Sequence, residues 1–134
     1  MLRELTIATL AIVLMASTVL GQTNSVDDDR KKLDSALLDS ELRVLWATYC
    51  ATLKVGDADA AVQFHIPASR DSQLKLYELL GDHIKTLPDN WSDLTLIEVS
   101  NPFATYALTD KLSGLLHTVT FVRYPDGKWL IHGM

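Results

Sequence analysis

The chain has 134 residues, with 12 Lys and Arg against 17 Asp and Glu and a net charge of −5. That length bounds it to one domain, and 48% hydrophobic with 22% charged residues is ordinary globular composition. The mildly acidic balance argues against nucleic acid and anionic membrane as partners, and a single cysteine, Cys50, excludes an intrachain disulfide.

The first segment reads as targeting rather than fold. Arg3 precedes an apolar run from Leu5 to Ala16, and small residues follow up to Gly21. This pattern predicts a secretory signal peptide over residues 1–21, cleaved after Gly21, with Ala16 and Ser17 as further cleavage options. The rival reading is an uncleaved N-terminal anchor, which the run disfavours by being shorter than the roughly 20 apolar residues of a spanning helix. The expected location is therefore secreted or periplasmic, with no membrane contact after cleavage. Residues 22–33 hold three acids followed by three bases and are expected to form a flexible linker. Three adjacent carboxylates in a mobile tail make no metal cage. The folded domain is expected over residues 34–134.

A first helix is predicted over residues 34–55, where Leu38, Leu42, Leu45, Tyr49 and Leu53 form one apolar stripe widened by Trp46 and Cys50. Cys50 in that pattern reads as a small buried hydrophobe. Gly56 ends the helix and Asp57 caps the next one, over residues 58–65, which buries Ala61, Val62 and Phe64 and closes at Pro67. The stretch HIPAS after it is compatible with a brief extended segment. A third helix is predicted over residues 71–87, with Leu76, Leu80, Ile84 and Leu87 in one stripe and Leu74 and Tyr77 beside it. Gly81 inside that helix suggests a close packing contact. The remainder alternates as strands over residues 94–100, 103–109, 115–124 and 128–132. The last two are joined by Tyr124-Pro125-Asp126-Gly127, a hairpin turn in which Gly127 takes the left-handed position. Helices followed by antiparallel strands make a segregated α+β layout.

The order and several motifs resemble the NTF2-like (SnoaL-like) superfamily. They are the first helix with Trp46 and Tyr49, the break Val55-Gly56-Asp57-Ala58-Asp59-Ala60-Ala61 into a short helix, and the closing hairpin from Phe121 through Asp126-Gly127-Lys128-Trp129 to Ile131. The resemblance implies three N-terminal helices packed in the concave face of a curved sheet of about four strands, a half-open cone whose interior often holds a ligand or active site. Members include isomerases, dehydratases, hydrolases, binding modules and dimerising domains, so the resemblance alone names no function.

Strand alternation sorts the candidate site residues. It points Leu115, His117, Val119 and Phe121 inward on the third strand, Ala104, Tyr106 and Leu108 on the second, and Trp129 and Ile131 on the fourth. Tyr49, His65 and Tyr77 are placed to reach the same space. The candidate ligand-binding set is therefore Tyr49, His65, Tyr77, Tyr106, His117, Phe121 and Trp129. His117 with Tyr106 is the candidate catalytic pair, a general base beside a phenol donor. No inward strand position carries a carboxylate that would complete such a site, Glu98 has an ambiguous face, and Asp110 reads as a turn residue. Asp82 and His83 fall opposite the apolar stripe and read as solvated. His65, His83, His117 and His132 show no paired metal-ligand spacing, and no metal or cofactor is expected. Trp91, in a polar loop, is placed to cover the mouth of the cone. The leading expectation is a domain that binds a small apolar or amphipathic ligand, or a protein partner, without turnover. The alternatives are an isomerase, dehydratase or hydrolase using His117 and Tyr106, and a structural homodimer through a convex sheet face bearing Thr118, Thr120 and Val122.

Overall fold

A computed structural model describes residues 23–134. The expected signal peptide, residues 1–21, lies outside the described residues. The chain divides into two compact units, Met1–Leu38 and Asp39–Met134. Among the described residues no helix is long and apolar enough to cross a membrane.

Helix α1 spans Thr23–Lys54. It takes in the stretch expected as a flexible linker, and the spacing of charge supplies a reason. Asp27 precedes Lys31 and Asp28 precedes Lys32 by four residues, an arrangement that favours helix on a solvated surface. In the second unit the helix buries Leu42, Trp46, Tyr49 and Leu53 at steps of four, three and four. Leu38 and Leu45, expected in that stripe, are only half-buried.

Gly56 at φ +75° turns the chain out of α1, and the Asp57 carboxylate accepts from the Ala60 amide at 3.0 Å to start α2, Ala58–Val62. Two corrections follow. First, α2 stops at Val62, and Pro67 opens the next helix rather than closing this one. A proline in the first turn has no amide hydrogen to waste and a φ already set for helix. Second, α3 runs Pro67–Leu80 and gives way to a 3-10 turn at Gly81–Thr86, followed by another at Pro88–Asn90. Gly81 is no packing contact, since nothing lies within 4 Å of where its side chain would start. It stands at φ +56°, where it ends the α-helix. The helix end so placed buries Tyr77 and Ile84, while Leu76, expected inward, is exposed.

The fold is α+β: helices followed by a four-stranded antiparallel sheet in the order β1-β2-β3-β4. The strands are β1 (Thr95–Ser100), β2 (Phe103–Thr109), β3 (Leu116–Arg123) and β4 (Trp129–Gly133). The β3–β4 turn is built as its residues dictate. Gly127 stands at φ +85°, the Gly127 amide donates to the Tyr124 carbonyl at 2.8 Å, and the Asp126 carboxylate accepts from the Lys128 amide at 2.8 Å. Ala104, Tyr106 and Leu108 on β2, Val119 and Phe121 on β3, and Trp129 and Ile131 on β4 form the buried face, as alternation predicts, but Leu115, expected on the same face, precedes β3 and is exposed. The outer edge of β4 is covered too. The Ile66 amide donates to the Ile131 carbonyl at 3.0 Å and the Ile131 amide to the Phe64 carbonyl at 2.7 Å, so residues 64–66 are the brief extended segment. That pairing fixes His65 against the sheet.

Candidate functional site

The candidate residues separate into three groups. Tyr49 from α1, His65 from the segment beside β4, and Tyr77 from α3 converge. The two phenol oxygens lie 2.5 Å apart, and His65 Nε2 lies 3.0 Å from Tyr77 Oη and 3.3 Å from Tyr49 Oη. Met134 Sδ accepts from Tyr49 at 3.8 Å. All three rings are at most 3% exposed. Burial pushes the His65 imidazole down to about 4, helped by the nearby Arg70 guanidinium. Burial likewise raises Tyr49, reinforced by Tyr77, and raises Tyr77 against the opposing pull of its bond with Tyr49. At neutral pH the cluster is three uncharged groups satisfying one another. It ties α1, α3 and the β4 edge together, and Arg70 Nε adds a bond to the His65 carbonyl at 3.1 Å. Tyr49 and His65 are enclosed, while Tyr77 borders an open surface groove of about 400 Å³.

The second group surrounds Tyr106. Its hydroxyl donates to Asp39 Oδ1 at 2.7 Å, and Arg43 Nε meets both Asp39 oxygens at 3.0–3.1 Å while its Nη1 donates to the Leu94 carbonyl at 2.8 Å. The Arg43 guanidinium lies 5.8 Å from the centre of the Tyr106 ring. Partial burial pushes the Asp39 carboxyl up, but the bonds from Tyr106 and Arg43 and the Arg43 charge outweigh it and hold it below the ordinary value. Burial, then the bond to Asp39 and its charge, raise Tyr106. Asp39 is the carboxylate that strand alternation could not find, because it comes from a helix. Stepping back three residues from Leu42 along the buried stripe lands on Asp39, a polar residue on an apolar face, and that was the available signal.

His117 joins neither group. It pairs with Leu108, which is 2% exposed, so its face is the expected one, yet His117 itself is exposed. The reason is reach. β4 pairs with β3 only from Thr120 to Arg123, so at His117 β3 lacks a neighbour on that side. The expected pair of His117 with Tyr106 is therefore not assembled, and the Tyr106 hydroxyl is committed to Asp39. Phe121, Tyr106 and Val119 have 0% accessible surface, so no space the size of a water molecule adjoins them. The expected ligand space beside these side chains is filled. Trp91 packs on Trp46 at 5.3 Å between ring centres. Asp110 is a turn residue, accepting from the Leu112 amide at 2.9 Å. On the opposite sheet face Thr118 is exposed, Thr120 half-buried and Val122 buried.

Open space lies at the surface. A cleft of about 330 Å³ is walled by Leu45 of α1, Phe64 beside β4, and Trp129 and Leu130 of β4. Trp129 and Leu130 are nearly buried, Leu45 and Phe64 half-buried, and the polar side chains at its edge, Glu41, Gln63 and Lys128, are exposed. Neither Glu41 nor Lys128 forms an ion pair among the described residues. A second groove of about 280 Å³ runs past Arg43, Trp46, Cys50 and Trp91. Burial pushes the Cys50 thiol up to about 11 against the pull of Lys54, so its thiolate is scarce at neutral pH.

Comparison with family models, with characterised proteins and with solved structures finds no match. The site must be argued from its own chemistry. Of the sequence-predicted residues, only Trp129 lines the apolar cleft. Leu45, Phe64 and Leu130 complete it, and each reads from sequence as an ordinary core residue.

Proposed function

We propose that this chain is a secreted or periplasmic NTF2-like domain that binds a small apolar or amphipathic ligand without turning it over. The ligand seats in the surface cleft between α1 and β4 rather than inside the sheet. The observation that supports this reading is the pairing of apolar walls (Leu45, Phe64, Trp129, Leu130) with opposite charges, Glu41 and Lys128, that form no ion pair among the described residues, at one opening of about 330 Å³. Such sites take up an apolar body and orient it by a few polar contacts. Turnover is disfavoured by chemistry. The buried imidazole and phenols are spent on one another, His117 has no partner, and the Cys50 thiol is protonated.

The test is titration with decanoate and with a neutral alkyl glycoside of the same chain length, followed by tryptophan emission and calorimetry. One saturable site is expected, lost in Leu45→Glu while a single cooperative unfolding transition is retained. Absence of saturable binding by either probe, or binding that survives Leu45→Glu, refutes the reading.

A further inference from the structure

The cleft between α1 and β4 carries two full charges of opposite sign at its mouth. Every residue that lines it belongs to the unit Asp39–Met134. Glu41 comes from α1 and Lys128 from the turn before β4, and both are exposed. Among the described residues they pair neither with each other nor with another charge. Local chemistry gives the reason. The residues three and four away from Glu41 are Leu37, Leu38, Val44 and Leu45, so its own helix offers it no cation. Beside Lys128, the Asp126 carboxylate is committed to the Lys128 backbone amide at 2.8 Å rather than to the ammonium.

We propose that the cleft takes a single-chain zwitterionic amphiphile: an alkyl body against Leu45, Phe64, Trp129 and Leu130, a cationic group at Glu41 and an anionic group at Lys128. This rests on the reading of the cleft as a ligand site and adds the ligand's charge. A ligand with one charge answers only half of the mouth. An anion meets Lys128 but is repelled by Glu41 and by a chain of net charge −5. A cation meets Glu41 and is repelled by Lys128. A zwitterion meets both, and electrostatic complementarity of this kind sets specificity. An extended peptide fits less well, because its backbone amides and carbonyls need a free sheet edge. The edge of β4 beside Phe64 is already taken, with the Ile131 amide donating to Phe64 and the Ile131 carbonyl accepting from Ile66. An alkyl chain brings no backbone groups to satisfy.

The test is calorimetric titration of the full chain, at low salt and below the micelle concentrations, with probes that share one decyl-length chain and differ in charge. They are the betaine N-decyl-N,N-dimethylglycine, decanoate, decyltrimethylammonium and a neutral decyl glycoside. Exposed charge contacts are each worth a few-fold in affinity, so the betaine should bind about 3-fold more tightly than either singly charged probe and about 10-fold more tightly than the glycoside. The advantage should shrink as salt is raised to about 0.5 M. Glu41→Gln should erase the advantage over decanoate, and Lys128→Gln the advantage over decyltrimethylammonium. Both side chains are exposed, so each variant should keep a single cooperative unfolding transition. Equal affinities for all the probes, or an advantage that survives both variants, overturn the proposal and leave the cleft as an apolar ligand site. Binding of none of them overturns the proposal and the cleft reading together. Tighter binding of leucyl-phenylalanine than of the betaine overturns it in favour of a peptide.

Discussion

His65 makes folding sensitive to acid, and the size of the effect follows from its surroundings. The imidazole is 1% exposed and is met by uncharged phenols from α1 and α3, with Arg70 the nearest charge and no carboxylate bonded to it. Its folded value of about 4 lies below the ordinary 6.5, so the folded protein holds the neutral form and the unfolded chain binds the proton. The stabilisation is complete above pH 6.5 and is lost as pH falls towards 4. At about 1.4 kcal/mol per pH unit the gap corresponds to about 3 kcal/mol, a large share of the roughly 5–15 kcal/mol typical of a domain. Urea unfolding at pH 7.0 and at pH 4.5, on the native chain and on His65→Gln, isolates the contribution, because glutamine does not titrate. The native chain should lose about 2–3 kcal/mol more than the variant between these two values. Asp39 does not confuse the window, since its depressed value moves its contribution to lower pH. Equal losses in the two proteins would refute the reasoning and mean that His65 is solvated or paired with an anion.

Other changes test the remaining groups. Phe121→Ala should cost about 3–5 kcal/mol in chemical denaturation, because the ring has no exposed surface and packs edge-on against Tyr106 and Trp46; a loss under about 1 kcal/mol would mean a loose interior. Tyr106→Phe should cost about 1 kcal/mol and raise the Asp39 titration midpoint followed by carboxyl NMR, and an unmoved midpoint would remove the Tyr106–Asp39 bond from the account. His117→Phe should leave stability within about 0.5 kcal/mol and ligand binding unchanged, as for an exposed strand end; loss of binding would return His117 to the site. Cys50 should react with iodoacetamide at pH 7.5 about 100-fold more slowly than an ordinary thiol, its thiolate being scarcer by the gap between 9.0 and about 11. Reaction at the rate of free cysteine would show that the thiol is solvated.

Strand alternation made the sheet legible. On β2 the buried set is the one the alternation selects, and on β3 it is so for Val119 and Phe121, whereas β1 buries no residue and β4 buries Trp129, Leu130 and Ile131 in a row. Helix limits were less legible because single residues carry two meanings. Proline closes one helix or opens another, and Gly81 is a packing gap or a left-handed stop. Only the chain on both sides decides. The first turns of α1 were hidden because a run of acids followed by bases has the composition of a tail and the spacing of a helix.

Alternation reports which face a residue takes, and His117 shows what it leaves out. The side chain is on the face with Val119 and Phe121, but whether that face is covered depends on how far the next strand extends, and β4 stops at the partner of Thr120. Polar residues inside the helical stripe carried more information than those on strands. Asp39 continues the line of Leu42, Trp46 and Tyr49, and a carboxylate there needs a donor from the sheet, which Tyr106 provides. Tyr49 in the same line needs another, which His65 and Tyr77 provide. Each inward polar group on α1 is thus answered by one from another element, and these answers consume the hydroxyls and the imidazole that catalysis would have required. Outside, beside the apolar cleft, Glu41 and Lys128 form no ion pair among the described residues.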